Sequence, residues 1–414
     1  MKVLLISPRM DSKENKVLIE ARKNRKAFPL IGLPYIAAIT PLHIEVKIID
    51  EVNGLQSDAL SEEADLVGIT GMTMHANRMY ELADRFREKE VPVILGGIHV
   101  TYMPEEALNH ADAIVIGEAE EVWSELLKDF EKGQLKKIYK SDNLVSIDNL
   151  PFPKLELLNG PAYQPPKGTL NAVMTTRGCP NNCDFCCVTQ MFGQKFRTRP
   201  IESVIKEIEC LNKDFISFND DNIIGKPIYA KELFKALKPL NRYWGGQASI
   251  KIGEDTELLN LAHESGCRLL FIGIESVNQS NIDLINKKGV NQVTKYKDSL
   301  KRIQDKGIRI IGSFIIGLDD DDEGVIDQIF DFIEDNHIAH PVVNILTPFP
   351  GTRLFEQLER ENRIIDRDWS HYDLTHVVIK PKKMSPEKLM EGYIRLLGKL
   401  NRYQYRRTLE KFYT

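Results

Sequence analysis

The chain has 414 residues, 42% of them hydrophobic and 28% charged, enough to bury two ordinary domains and a smaller tail. A net charge of −5 gives no general reason to expect a nucleic-acid partner, which favours basic surfaces. No stretch approaches the apolar length that spans a bilayer. The opening MKVLLISPRM runs at once into the charged DSKENKVLIEARKNRK, unlike a secretory leader, so a cytoplasmic location is expected.

Residues 1–140 alternate short apolar runs with helical stretches. Strands are expected at Val3–Ile6, Glu45–Ile49, Leu66–Thr70, Val93–Leu95 and Ala113–Ile116. Between them lie amphipathic segments such as Asn77–Lys89, with Met79, Leu82, Ala83 and Phe86 on one face. Val-, Ile- and Leu-rich strands separated by helices describe a parallel sheet covered on both sides, a doubly wound, Rossmann-like domain. Three strands end in small residues, at Thr70-Gly71, Gly96-Gly97 and Ile116-Gly117. Any one of these glycines is best read as a tight turn. Three in one sheet point to a ligand beyond the strand ends, where a bare backbone allows close approach.

Residues 141–170 hold five prolines and no clear period, and read as a linker. Leu150, Phe152, Leu155 and Leu157 within it predict packing against both flanking domains.

A second strand–helix series fills 171–353. Its strands are expected at Ala172–Thr176, Phe215–Phe218, Gly245–Ser249, Leu269–Ile274, Arg309–Ile316 and Val342–Leu346. Its helices are expected near Ile201–Leu211, Pro227–Leu237, Thr256–Ser265, Asn291–Asp305 and Gly324–Asp335. Six such units suit a partial (β/α)6 barrel of TIM type with its chemistry at the carboxyl ends of the strands. Residues 354–414 form a mostly helical C-terminal region. Its last helix starts where Ser385 offers a cap and Pro386 takes the first helical position. The fold class is therefore α/β: Rossmann-like sheet, partial barrel, helical tail.

Four of the six cysteines, Cys179, Cys183, Cys186 and Cys187, fall within nine residues. Such clustering in a large chain expected in the cytoplasm points to metal and not to a disulfide framework. Cys179, Cys183 and Cys186 form Cys-x3-Cys-x2-Cys directly after a strand. Three thiolates at this spacing can wrap one corner of a cubane. A [4Fe–4S] cluster normally takes four, so one iron is left open for a ligand. The competing account is zinc or a chance group of buried cysteines. Zinc usually wants a fourth Cys or His at finger-like spacing, and the adjacent Cys187 is poorly placed to serve. Cys210 and Cys267 read as core residues, and Cys187 as space-filling beside the cluster.

The segment from Thr175 to Pro200, with Phe185 just before the third cysteine, resembles the signature of the radical S-adenosylmethionine (SAM) superfamily. The resemblance implies that the open iron chelates the amino and carboxylate groups of SAM. One electron then cleaves the sulfonium to a 5′-deoxyadenosyl radical that abstracts hydrogen from carbon. Later strand ends resemble the family's SAM contacts. They are Ser217–Asn222, which would supply Asn219 and Asp220; Gly245–Ser249, with Gln247 and Ser249; Gly273–Ser276, with Glu275; Ser313–Gly317, with Ser313 and Ile315; and Thr347–Thr352, with Phe349. Arg197 and Arg199 are candidate partners for the SAM carboxylate or a substrate anion.

Residues 1–140 resemble the cobalamin-binding domain found ahead of such barrels. The matching segments are Phe28–Ala38, Thr70–Thr73, Gly96–Thr101 and Gly117–Glu120. The implied corrin contacts are Pro8, Leu33, Thr70, Gly71, Met72, Thr73, Gly96, Gly97, His99, Thr101, Gly117 and Glu118. The Asp-x-His-x-x-Gly of mutase-type domains is absent, since Asp50-Glu51-Val52-Asn53-Gly54 holds no His, so cobalt is expected without a protein imidazole below. His99 is expected to hydrogen-bond near the corrin and not to ligate cobalt.

The resemblance implies a cobalamin-dependent radical SAM enzyme using a [4Fe–4S] cluster, SAM and cobalamin. Its simplest reaction is C-methylation of an unactivated carbon, and its rival is a cyclisation, rearrangement or oxidation with the same cofactors. Methylthiolation of RNA or protein would need three more cysteines before Cys179, and residues 1–178 contain none. The expected partners are a small-molecule or lipid substrate and a low-potential electron donor such as a flavodoxin or ferredoxin. The tail's Lys399, Arg402, Arg406, Arg407 and Lys411, interleaved with Tyr403, Tyr405 and Phe412, make either a solvated helix face or a contact for anionic lipid.

Overall fold

The computed structural model describes residues 1–10, 31–51, 58–158, 171–193, 195–211 and 214–413, with side chains through 404. Phe28, Pro29 and Leu30 of the first corrin segment, Val52 to Gly54 and residues 159–170 of the linker lie outside the described residues, as do the side chains of Tyr405, Arg406, Arg407, Lys411 and Phe412.

The first sheet holds β1 (Lys2–Ser7), β2 (Glu45–Asp50), β3 (Leu66–Thr70), β4 (Val93–Gly96), β5 (Ala113–Ile116) and β6 (Ile138–Lys140). All pairings are parallel, in the order β2-β1-β3-β4-β5-β6. Alternation along β1 sends Leu4 and Ile6 to one face, against Met79, Leu82, Ala83 and Phe86 of the helix Ala76–Glu88. Val3 and Leu5 go to the other, against Tyr35, Ala37, Leu126 and Leu127 of the helices Gly32–Ile39 and Trp123–Glu131. Apolar residues on both faces are what a covered parallel sheet requires. The sixth strand was not foreseen: it is a three-residue edge strand in which only Tyr139 is buried, too short to show a period.

The second domain adds β7 (Ala172–Val173), β8 (Thr176–Arg177), β9 (Arg197–Thr198), β10 (Phe215–Phe218), β11 (Tyr243–Ala248), β12 (Cys267–Glu275), β13 (Arg309–Ile316) and β14 (His340–Ile345). Six of these form a parallel sheet in chain order, β7-β10-β11-β12-β13-β14, as in a partial barrel, while β8 and β9 pair as a short antiparallel ribbon. The single strand expected over Ala172–Thr176 is thus divided. The Thr175 N–H and hydroxyl both bond the Asp220 carboxylate, which ends the ladder there. The helix expected from Asn291 starts at Tyr296. The Asn291 side chain donates to the Gly273 and Ile274 carbonyls, tying its segment to β12 before the helix can begin.

One hydrophobic cluster joins the domains. It runs from Leu4 and Ile69 of the first sheet through Ile315 and Leu346 at the barrel's strand ends to Trp369, Tyr372 and Ile379. The linker contributes Leu155 and Leu158 to the core on the other face of the first sheet. The tail helix Pro386–Tyr413 has Ser385 accepting from the Lys388 N–H at 3.3 Å. Leu389, Tyr393, Leu396, Leu400 and Tyr403 of that helix belong to the barrel core, and Lys399 pairs with Asp327. Among the described residues no helix is long and apolar enough to cross a membrane.

Candidate active site

The cysteine loop leaves the β8–β9 ribbon at Gly178 (φ +89), whose N–H donates to Asp221. It is then held on two sides. Arg353 donates to the Asp184 carboxylate at 2.7 Å and to the Asn182 side chain at 2.9 Å, and the Leu354 N–H donates to the Asp184 carbonyl. From the other side the Asp184 N–H donates to the Ile285 carbonyl at 3.1 Å, and Asn286 Nδ2 to the Asn182 carbonyl at 2.8 Å. Cys179, Cys183 and Cys186 thereby edge one cavity of about 370 Å³. Among the described residues no three His, Cys, Asp or Glu side chains stand close enough to grip a single metal ion. Burial pushes the Cys183 thiol up to about 11 and raises Cys179 and Cys186 as well. Iron entering between them must displace those protons. Three soft donors around an open cavity fit an iron–sulfur cluster with a free corner.

The rest of the cavity is built from barrel strand ends. Phe185, Gln247, Ser249, Glu275, Ser313, Ile315 and Phe349 all line it, as does Cys187. Asn219 and Asp220 do not. Asp220 is fully buried behind the loop, where it accepts from Thr175 and Thr176, and the Asn219 N–H is spent on the Val173 carbonyl. Their neighbours Asp221 and Asn222 face the cavity instead. Asn222 Nδ2 reaches Cys179 Sγ at 4.0 Å while its Oδ1 accepts from the Ser249 N–H. Burial lifts Asp221 to about 6, although the Gly178 N–H works against it. The strand-end motif was legible in the sequence, but which of its four polar residues turns inward was not.

Lys287 was missed entirely. It lines the cavity, donates to the Gly273 carbonyl at 3.1 Å and pairs with Glu275. Burial opposes its charge, yet Glu275 and the cysteine sulfurs outweigh that and hold its pKa above the usual range. No motif marks a lysine twelve residues beyond its partner. Asn344 and Leu374 also line the cavity and were not foreseen.

Arg197 and Arg199 lie away from the cavity, with their charges already matched. Arg199 is 1% exposed and pairs with Glu207 at 2.5 Å, donating also to the Met174 carbonyl. Arg197 donates to Glu118 at 2.7 Å and to the Val145 carbonyl. Glu118 is corrected with it. This carboxylate, just beyond β5, is taken up in accepting from both Arg177 and Arg197, which are cross-strand partners flanking the cysteine loop.

The remaining corrin candidates divide between edge and interior. At the carboxyl ends of β3, β4 and β5 stand Thr70-Gly71-Met72, Gly96-Gly97 and Gly117, with Pro8 beyond β1 near Gly71. Thr101 links two of these ends, donating to the Gly97 carbonyl and accepting from the Gly117 N–H. Gly97 has φ +93, and a Cβ there would lie 2.4 Å from Thr70 Oγ1, so only glycine fits. Gly117 has φ +79 with nothing within 4 Å of its Cβ position. The strand order reverses between β1 and β3, and a reversal opens a crevice at the strand ends. Such a floor of bare backbone suits a large flat ring like a corrin. Leu33 and Thr73 are instead buried, Leu33 in the core beneath the sheet. His99 is fully buried too, 3.1 Å from the Tyr80 hydroxyl and edge-on to Trp369, so its ring is turned from the edge.

Comparison with known proteins names both halves. The B12 binding domain matches residues 25–127, and the Radical SAM superfamily matches residues 173–333. These define a protein that joins a corrin-binding sheet to a radical SAM barrel. Bacteriochlorophyllide d C-12(1)-methyltransferase of Chlorobaculum tepidum is 34% identical over 375 residues, which cover 88% of this chain and 81% of that protein. Bacteriochlorophyllide d C-8(2)-methyltransferase of the same organism is 31% identical, over 90% of this chain and 86% of that one. The solved structure of the radical SAM methyltransferase TsrM of Kitasatospora setae, with cobalamin and a [4Fe–4S] cluster bound, shares the fold. It matches at a TM-score of 0.68 and 17% identity, over 95% of this chain and 85% of that one. The chain belongs to the cobalamin-dependent radical SAM enzymes, whose cofactors are a [4Fe–4S] cluster, SAM and cobalamin.

Proposed function

We propose that the protein is a C-methyltransferase acting on an unactivated carbon of a small, largely apolar molecule. The observation that carries this reading is the cavity into which the cysteine loop and the barrel's polar strand ends converge, in a chain whose first sheet ends in a glycine-floored edge. Cys179, Cys183 and Cys186 would hold the cluster. Asn222, Gln247, Ser249, Glu275 and Ser313 offer the hydrogen-bonding groups that a SAM molecule needs, with Phe185, Ile315 and Phe349 as apolar walls. Gly71, Met72, Gly97, Thr101 and Gly117 would meet the corrin. When bound, these groups supply a carbon-centred radical and a transferable methyl group. The chain's own work is orientation and exclusion. Phe271, Leu346 and Leu374 add apolar lining to the cavity, and a radical persists only where water and stray hydrogen donors are shut out. A one-electron donor of low potential, such as a flavodoxin or ferredoxin, would feed the cluster. Both bacteriochlorophyllide relatives are methyltransferases by name, which favours methylation over cyclisation or oxidation.

The test is anaerobic reconstitution with iron, sulfide and cobalamin, then turnover with methyl-labelled SAM, a chemical reductant and bacteriochlorophyllide d as first acceptor. Label in the acceptor together with 5′-deoxyadenosine is expected. An altered acceptor without label, alongside 5′-deoxyadenosine, would replace methylation by a redox or cyclising reaction.

A further inference from the structure

The turn that closes the helix Gln279–Leu284 carries an amine into the cysteine cavity. Ile285 and Asn286 (φ +55) are both hydrogen-bonded to the middle of the cysteine loop, so the residue that follows has little freedom. That residue is Lys287, 8% exposed and sharing the cavity with Cys179, Cys183 and Cys186. Its Nζ lies 5.9 Å from the Phe185 ring and bonds the Gly273 carbonyl and the Glu275 carboxylate.

The fold is bent to admit this pair. A Cβ on Gly273 would fall 2.2 Å from Glu275 Oε1 and 2.8 Å from Lys287 Nζ. Glu275 itself takes φ +65, and β12 slips its register against β13 between Gly273 and Glu275. A buried ion pair is weak evidence of stabilisation, since an apolar pair of similar volume often serves a core as well. Strain, a forced glycine and a buried charge at one point call for a purpose besides stability. Both members of the pair line the cavity that the three cysteines edge.

We propose that Lys287 is a positioning residue for charge: its ammonium, trimmed by Glu275, sets the reduction potential of the cluster on Cys179, Cys183 and Cys186. This rests on the reading that those cysteines hold the cluster. The step concerned is uptake of one electron by the cubane from an external low-potential donor, with no proton moved by Lys287. Three thiolates already make the site negative, and the added electron makes it more so. A nearby buried cation favours the reduced form, and its counter-carboxylate offsets that preference.

The sign of the prediction therefore depends on which partner is removed. The chain reconstituted with iron and sulfide, without SAM, is titrated by electron paramagnetic resonance against reductant. Lys287→Met should move the midpoint to more negative potential by about tenfold in the oxidised-to-reduced ratio, ~59 mV for one electron. Glu275→Gln should move it the opposite way, and Lys287→Arg should hold it near the parent value. The double variant Lys287→Met/Glu275→Gln, which leaves no buried charge unpaired, should also stay near the parent and guards against a folding defect. Parallel shifts in both single variants, or no shift with Lys287→Met, would overturn the inference. Failure of the parent chain itself to form an iron–sulfur chromophore would instead overturn the reading on which it rests.

Discussion

The two parallel sheets make room for a ligand in different ways. In the first, the order β2-β1-β3-β4-β5-β6 reverses at β1, and the crevice lies outside the strand ends. Its floor is backbone, with Gly71, Gly97 and Gly117 where side chains would intrude. In the second, strand order follows the chain from β7 to β14 without reversal, and curvature draws the strand ends round an interior cavity. Its lining is side chain: Asn222, Gln247, Ser249, Glu275, Ser313 and four cysteines. The edge site should fail when an atom is added, and the barrel site when one is taken away.

The largest effect is expected from Cys183→Ala. Loss of one of the three proposed ligands should leave no iron–sulfur absorption on reconstitution. Reductive cleavage of SAM, read as 5′-deoxyadenosine, should fall by more than about 10³-fold, the scale on which loss of an essential member of a catalytic unit acts. Cobalamin uptake should stay within about twofold, as distant sites usually behave independently. Gly97→Ala is the mirror image. The new Cβ meets Thr70 Oγ1 at 2.4 Å in a backbone at φ +93. A strain of ~1–3 kcal/mol placed at the corrin edge predicts cobalamin binding weaker by roughly ten- to a hundredfold, with cluster content unchanged. If either variant lost both cofactors together, the two sites would not be separable and the contrast would fail.

This division also explains what could be read before the fold was seen. Strands such as Leu66–Thr70 and Ala113–Ile116 were legible to the residue, because fully buried parallel strands are continuous apolar runs between helices. The cysteine spacing was legible because a cubane fixes how far apart its thiolates fall along a loop. Direction within a turn was not. Asn219, Asp220, Asp221 and Asn222 are consecutive polar residues, and only the bonds from Thr175, Thr176 and Gly178 decide that the last two turn inward. Arg197 and Arg199 follow the motif as an anion site would. Their fate was set by Glu118 and Glu207, and the first of these comes from the other domain. Lys287 was invisible for the same reason. Its role depends on a tertiary turn stitched to the cysteine loop, and such pairings leave no local period.

The smallest effect at neutral pH, and the one that sharpens the comparison most, concerns buried charge. The barrel keeps Lys287 ionised by giving it Glu275 and the sulfurs. The first sheet keeps His75 neutral. This residue is 3% exposed just beyond β3 and accepts the Met72 N–H on Nδ1. Burial lowers its pKa from 6.5 to about 4, against a weaker pull from Asp50. In the unfolded chain the same imidazole takes its proton near 6.5, so between the two values the unfolded state binds more protons. Stability from this group is therefore whole above about pH 6.5 and drains as pH falls toward about 4, by up to ~3 kcal/mol. His75→Gln offers Met72 another acceptor and cannot titrate. It should match the parent in denaturant midpoint at pH 7, to within about 1 kcal/mol, and lose less stability at about pH 4.5. Hydrogen exchange at the lower pH should show the first sheet of the parent less protected than that of His75→Gln, because the buried imidazole must then take up a proton. Equal acid slopes in parent and variant would show that the sheet edge tolerates charge as well as the barrel does.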